Sequence, residues 1–237
     1  MKSVLTAVFI VMLLSWCPSN QQDVVAFEDY LSDIKIEFKK EWPTNKTINL
    51  VFHGHSVPAG YFKTPIVNTM DAYPMQVLAQ LKTNYPLAVI NVINTSIGGE
   101  NSEHGQKRFR KDVLSHHPDI VFIDYALNDR GLGLSKSKKA WSTMIRAALS
   151  KHCKVILLTP SPDQRDDILD VHTELQQHAD QIVALAKEFN VGLIDSYSIF
   201  KQQVESGQAL PLFMSQVNHP NKKGHQLIAN EIMKYFN

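Results

Sequence analysis

Short, almost wholly apolar runs rich in β-branched residues alternate along the chain with longer segments whose apolar residues recur at three- and four-residue spacing. The short runs, 48–52, 89–93, 120–123, 155–158 and 191–194, read as five strands. Each is nearly all apolar rather than alternating, as expected when both of its faces are covered, in a parallel sheet between helical layers. The covering helices are expected over 71–85, 103–116, 135–151, 169–189 and 221–236. A further N-terminal helix over 23–40 should end at Trp42-Pro43, because a residue before proline is pushed out of helical geometry. The pattern predicts a doubly wound α/β fold: a flavodoxin-like five-stranded parallel sheet in a three-layer α/β/α arrangement.

The N-terminus stands apart from this alternation. Met1-Lys2 followed by an apolar run from Val4 to Trp16 has the charged start and short hydrophobic stretch of a secretory signal, and is too short to span a bilayer stably. A signal peptide over about residues 1–22 is expected, leaving one domain from 23 to 237 that is exported to the periplasm or the medium. Leu14-Ser15-Trp16-Cys17 has the outline of a lipoprotein signal, but Trp16 occupies the position that normally holds a small residue, so soluble export is favoured over a lipid on Cys17. With Cys17 removed or lipidated, Cys153 is the one thiol left and no internal disulfide is available.

Composition narrows the partners. Hydrophobic residues make up 44% and charged ones 20%, and 24 Lys and Arg nearly balance 23 Asp and Glu. That balance excludes a disordered chain and any strong global field, and it argues against nucleic acid. No internal repeat or linker interrupts the pattern.

In open parallel sheets, ligands bind beyond the carboxyl ends of the strands. The loops there read His53-Gly54-His55-Ser56 after the first run, Gly98-Gly99-Glu100 after the second and Ala126-Leu127-Asn128-Asp129-Arg130 after the third; Gln216-Val217-Asn218-His219-Pro220 precedes the last helix. In order and spacing these blocks resemble the SGNH/GDSL hydrolases, over nearly the whole mature chain. The resemblance implies Ser56 as nucleophile and His219 as its base. It also implies an oxyanion hole made by the Ser56 and Gly99 N–H groups and the Asn128 amide. A hydroxyl is a poor nucleophile until an imidazole takes its proton, and losing one oxyanion donor usually costs about 3–4 kcal/mol of barrier. Gly99 suits a backbone that approaches substrate closely and needs positive φ.

Three departures from the family pattern bear on chemistry. His55 stands where the first block normally has Asp, Ala126 opens a third block that normally begins with Gly, and Gln216 replaces the aspartate three before the histidine. Glutamine could accept a hydrogen bond from the ring N–H through its carbonyl, but it cannot give the imidazolium a full charge. A Ser-His dyad is implied, or an acid from Asp195, Asp129 or Glu100, of which Asp195 reads first as a helix cap. A weakly braced His219 predicts activity at neutral to alkaline pH.

His55, Asp129 and Arg130 are candidate substrate contacts, and Tyr61, Phe62 and Tyr125 are candidate aromatic walls. His53 and His55 face one way on an extended segment, yet no carboxylate or cysteine motif accompanies them, so neither metal nor cofactor is expected. The expected activity is hydrolysis of a small acyl ester, an acetyl group on a carbohydrate before a lipid, given the absence of a long hydrophobic lid. Two rivals are a lysophospholipase or thioesterase of the same fold and a ligand-binding relative that has lost turnover. The oligomeric state is not legible.

Overall fold

The structure, a computed structural model, describes residues 27–237; the expected signal peptide and Cys17 lie outside the described residues. Five parallel strands, β1 (Thr47–Gly54), β2 (Val89–Asn94), β3 (Ile120–Asp124), β4 (Lys154–Leu158) and β5 (Gly192–Ile194), form a sheet in the order β2-β1-β3-β4-β5. This is the flavodoxin-like order, with its switch point between β1 and β3. Two short helices, α1 (Phe27–Tyr30) and α2 (Ser32–Phe38), stand where one N-terminal helix was expected. The remaining helices are α3 (Ser56–Ala59), α4 (Tyr73–Asn84), α5 (Ser102–Asp112), α6 (Leu134–Leu149), α7 (Glu174–Phe189), α8 (Ser196–Glu205) and α9 (Lys222–Met233).

The apolar strands divide their side chains between two cores. Leu50, Phe52, Ile120, Phe122, Ile156 and Ile194 face a cluster completed by α2, α4, α8 and α9. Val51, Val121, Ile123, Val155 and Leu157 face another completed by α5, α6 and the later part of α7. Alternate residues of one strand therefore enter different cores, which is why the central runs are nearly all apolar; the polar exceptions, Asn49 and Asn91, pair with each other where β1 meets the edge strand β2. Phe52 and Phe122 stack across β1 and β3 with ring centroids 4.2 Å apart. Among the described residues no helix is long and apolar enough to cross a membrane.

Two elements differ from expectation for local reasons. α7 begins at Glu174 rather than 169, because Asp167 and Asp170 turn their carboxylates onto the N–H groups of Leu169 and His172, and Thr173 then caps the helix through the Gln176 N–H. Such side-chain to backbone bonds compete with helix formation. α8 is additional: Asp195 caps it, and Tyr197 and Phe200, three apart, hold it to the core. A small antiparallel pair, β6 (Met214–Gln216) and β7 (His219–Pro220), is too short to show a period in the sequence, yet it places the histidine.

Candidate active site

The register of β1 against β3 sets Gly54 opposite Asp124 at the carboxyl edge of the sheet. A Cβ at Gly54 would lie 2.4 Å from the Asp124 carbonyl oxygen, so only glycine lets β1 turn this close to β3. The His55 N–H then donates to that carbonyl at 3.2 Å, and the chain enters α3 with Ser56 as its first residue. From the other side of the cleft the β6–β7 pair brings in His219, whose Nε2 lies 2.8 Å from Ser56 Oγ. Asn221 fixes the end of that pair: it caps α9 through the Lys223 and Gly224 N–H groups and donates to the carbonyls of Leu212 and Met214.

Ser56 and His219 open onto a cleft of about 440 Å³ lined also by Tyr61, Thr64, Gly98, Gly99, Asn128, Gln216 and Asn218. Gly99 has φ +78°, and a Cβ added there would meet nothing within 4 Å. Glycine is thus demanded at this position by backbone conformation rather than by crowding. Asn128 donates one amide hydrogen to the Glu100 carbonyl at 2.9 Å, which holds the side chain over the cleft with its other hydrogen available. Ser56, Gly99 and Asn128 are therefore brought to one place with His219.

The other sequence candidates fall elsewhere. Asp129 does not reach the cleft: its buried carboxylate accepts from the Ser102 N–H, the Ser137 hydroxyl and the Trp141 indole, tying the start of α5 to α6. Arg130 is committed to Asp163 and Asp166. Glu100 pairs with Arg108 and accepts from the Tyr125 hydroxyl, and Asp195 caps α8 while accepting from Thr159, so none of the three proposed acids touches His219. Of the aromatic candidates Tyr61 lines the cleft, whereas Phe62 stacks on His225 and Tyr125 is wholly buried. His53 bonds Thr95 and Gly105 through its two ring nitrogens.

His55 is wholly buried and makes no substrate surface. Its Nδ1 accepts the Val57 N–H at 3.3 Å, the capping bond that an aspartate would make, and lies 3.5 Å from Ser56 Oγ. Its Nε2 lies 3.3 Å from Asp124 Oδ1, and Asp124 Oδ2 accepts from the Tyr73 hydroxyl at 3.0 Å. Asp124 is the residue that sequence reasoning missed, although its position at the carboxyl end of the third strand was the available signal.

Gln216 reverses its expected role. Its Oε1 accepts the Thr64 N–H at 3.0 Å, so the amide nitrogen, not the carbonyl, faces His219 Nδ1. Burial pushes the His219 pKa below 6.5, and the nearby His55 adds to this, while a hydrogen bond to the Phe62 carbonyl works in the opposite direction. The base form consequently persists to lower pH than the expected neutral-to-alkaline range.

Comparison with known proteins places this geometry. Residues 52–227, a span containing all four blocks, match the model of the GDSL-like lipase/acylhydrolase family. The chain belongs to that family. It is accordingly a GDSL-type serine hydrolase of ester bonds. An acetylxylan esterase from Geobacillus stearothermophilus is 24% identical over 174 residues, covering 68% of this chain and 79% of that protein. The crystal structure of that esterase superposes with a TM-score of 0.70 at 20% identity, over 80% of this chain and 94% of the other. A two-domain esterase active on acetylated mannans gives a TM-score of 0.72 at 22% identity, over 87% of this chain and 52% of that one.

Proposed function

We propose that the protein removes acetyl groups from a carbohydrate by way of a Ser56 acyl-enzyme. The observation that carries this is the 2.8 Å contact between Ser56 Oγ and His219 Nε2 on the wall of a small cleft whose other lining side chains are polar and uncharged. A cleft of that volume suits a short acyl group and a sugar hydroxyl rather than a long chain. Its similarity to an acetylxylan esterase and to an esterase active on acetylated mannans supports the same substrate class.

In acylation Ser56 Oγ attacks the acetyl carbon as its proton passes to His219 Nε2. The negative oxygen sits against the Ser56 and Gly99 N–H groups and the Asn128 amide. Collapse breaks the bond to the sugar oxygen, which takes the proton from His219. Water then attacks the acetyl-enzyme and gives its proton to His219; acetate leaves, and the proton returns to Ser56. Base catalysis needs the resting ring proton on Nδ1, the nitrogen that the Gln216 amide nitrogen faces, so for turnover that amide has to turn its oxygen to the ring. Residues 1–22 act as the export signal, and the chain from residue 23 acts as one catalytic domain.

The test is hydrolysis of p-nitrophenyl esters from acetyl to long acyl, and of acetylated xylan and mannan oligosaccharides, with fluorophosphonate labelling read by intact mass. Short-chain preference, sugar deacetylation and a label lost in Ser56→Ala are expected. Long-chain preference would favour a lysophospholipase or thioesterase. Folded protein that neither labels nor turns over would leave a binding protein.

A further inference from the structure

Among the described residues the Ser56–His219 pair has no carboxylate behind its imidazole. When His219 takes the Ser56 proton it becomes an imidazolium in a buried site, and a buried cation without a counter-charge is costly. On its Nδ1 side stands Gln216, which is neutral and, with Thr64 holding its Oε1, turns an amide N–H toward the ring. On the opposite side, across Ser56 Oγ, stands His55. Because His55 Nδ1 accepts the Val57 N–H, its ring proton belongs on Nε2, facing the carboxylate of Asp124 at 3.3 Å. The ring therefore turns a lone pair toward Ser56, while its Nε2 and Asp124 Oδ1 face each other as buried atoms with no other partner among the described residues, close enough for charge to act but not aligned as a hydrogen bond; the carboxylate is 4% exposed.

We propose that Asp124, acting through the His55 ring, is the negative charge that the Ser56–His219 pair uses in place of the carboxylate absent at position 216. This rests on the serine-hydrolase reading and adds its missing charge. The proton still moves from Ser56 Oγ to His219 Nε2 and on to the leaving oxygen. Asp124 and His55 exchange no proton; they polarise the space beside the imidazolium. His55 touches the reacting oxygen, and Asp124 is a positioning residue behind it. The charged or titratable groups around this pair are His219 from β7 and Tyr73 from α4, with His225 of α9 accepting the Tyr73 N–H behind them. The Tyr73 hydroxyl bond to Oδ2 fixes the carboxylate's second oxygen, so Oδ1 is the one that meets His55.

The experiment compares Asp124→Asn, Gln216→Asp and the double variant in the mature protein, with circular dichroism confirming fold and fluorophosphonate labelling confirming an active wild type. Asp124→Asn keeps shape and the acceptor for Tyr73 but removes the charge. It should lower kcat by about 100-fold, less than direct loss of a triad carboxylate because a ring intervenes. Removing the charge should also move the acid limb of kcat/KM to lower pH, since the His219 cation loses support. Gln216→Asp in the Asp124→Asn background should restore at least about tenfold, because a carboxylate three residues before His219 supplies the same charge from the Nδ1 side. If Asp124→Asn does not fold, His55→Asn breaks the same link while keeping a capping acceptor for Val57, and its loss and rescue are read in the same way. An active wild type whose folded variant keeps kcat within about threefold overturns the proposal. So does a loss that Gln216→Asp fails to rescue and that leaves the pH limb in place, since that is what a structural role gives. A wild type that neither labels nor turns over overturns the hydrolase reading instead.

Discussion

At the scale of single residues the site depends on conformation as much as on chemistry. Gly99 can be tested apart from crowding, because its Cβ would enter open space while its φ of +78° disfavours any side chain. Gly99→Ala should fold and should lose about 100-fold in kcat as its N–H leaves the oxyanion position; a variant with wild-type kcat would remove that N–H from the mechanism. His219 carries a pH prediction of known sign. Burial lowers its pKa below 6.5, and catalysis needs the neutral ring, so the acid limb of kcat/KM should fall below pH 6.5. A limb above pH 7 would mean that another group or an unseen counter-charge governs the base. Ser56, Gly99, Asn128 and His219 were legible because each block carries its residue at a loop after a strand or before a helix. The misreading of His55, Asp129 and Arg130 as substrate contacts has a common cause: sequence places a residue in a loop but does not say which way its side chain turns. Asp129 turns inward to three donors, and His55 turns under the nucleophile.

At the scale of elements, short pieces position the histidine. The long strands and helices were legible because apolar residues repeat at a period that burial enforces. The pair β6–β7 has too few residues for any period, and it is held by Ser215 and Asn221 instead. Asn221→Ala removes the cap from two N–H groups of α9 and loosens the segment before His219. About 1 kcal/mol of stability should be lost, seen as a lower Tm, together with a fall in kcat that exceeds any change in KM. Unchanged kcat would show that His219 is placed without this cap. Asp129 performs the equivalent task on the other side of the cleft, beside Asn128. Asp129→Ala leaves three donors without their acceptor, two side chains and the Ser102 N–H, in a buried site. It should cost about 3 kcal/mol or more by denaturant unfolding, and a loss under 1 kcal/mol would contradict the role assigned to the carboxylate.

At the scale of the whole molecule the buried histidines make stability depend on pH. Burial pushes His225 down from 6.5 to about 3, with His219 adding to the shift, and pushes His53 to about 4, with Arg108 adding. Between pH 6.5 and those values the unfolded chain binds protons that the folded chain refuses, so stability must fall as pH drops through this window. Asp163 extends the decline in the acid range. Although burial alone would raise it, hydrogen bonds from Arg165 and Arg130 hold it at about 2, so its stabilisation is complete above 3.8 and is lost as pH falls toward 2. Tm should therefore decline from pH 6.5 downward, first through the histidines and then through Asp163. His225→Gln separates the contributions: glutamine can still accept the Tyr73 N–H that His225 Nδ1 accepts at 3.2 Å, but it does not titrate. Whatever the substitution costs at pH 7.5, where the ring is neutral in both states, the slope of Tm against pH between 6.5 and 4 should become shallower. An unchanged slope would mean that His225 is protonated alike in the folded and unfolded chains, which is incompatible with a wholly buried ring stacked on Phe62 at 5.0 Å.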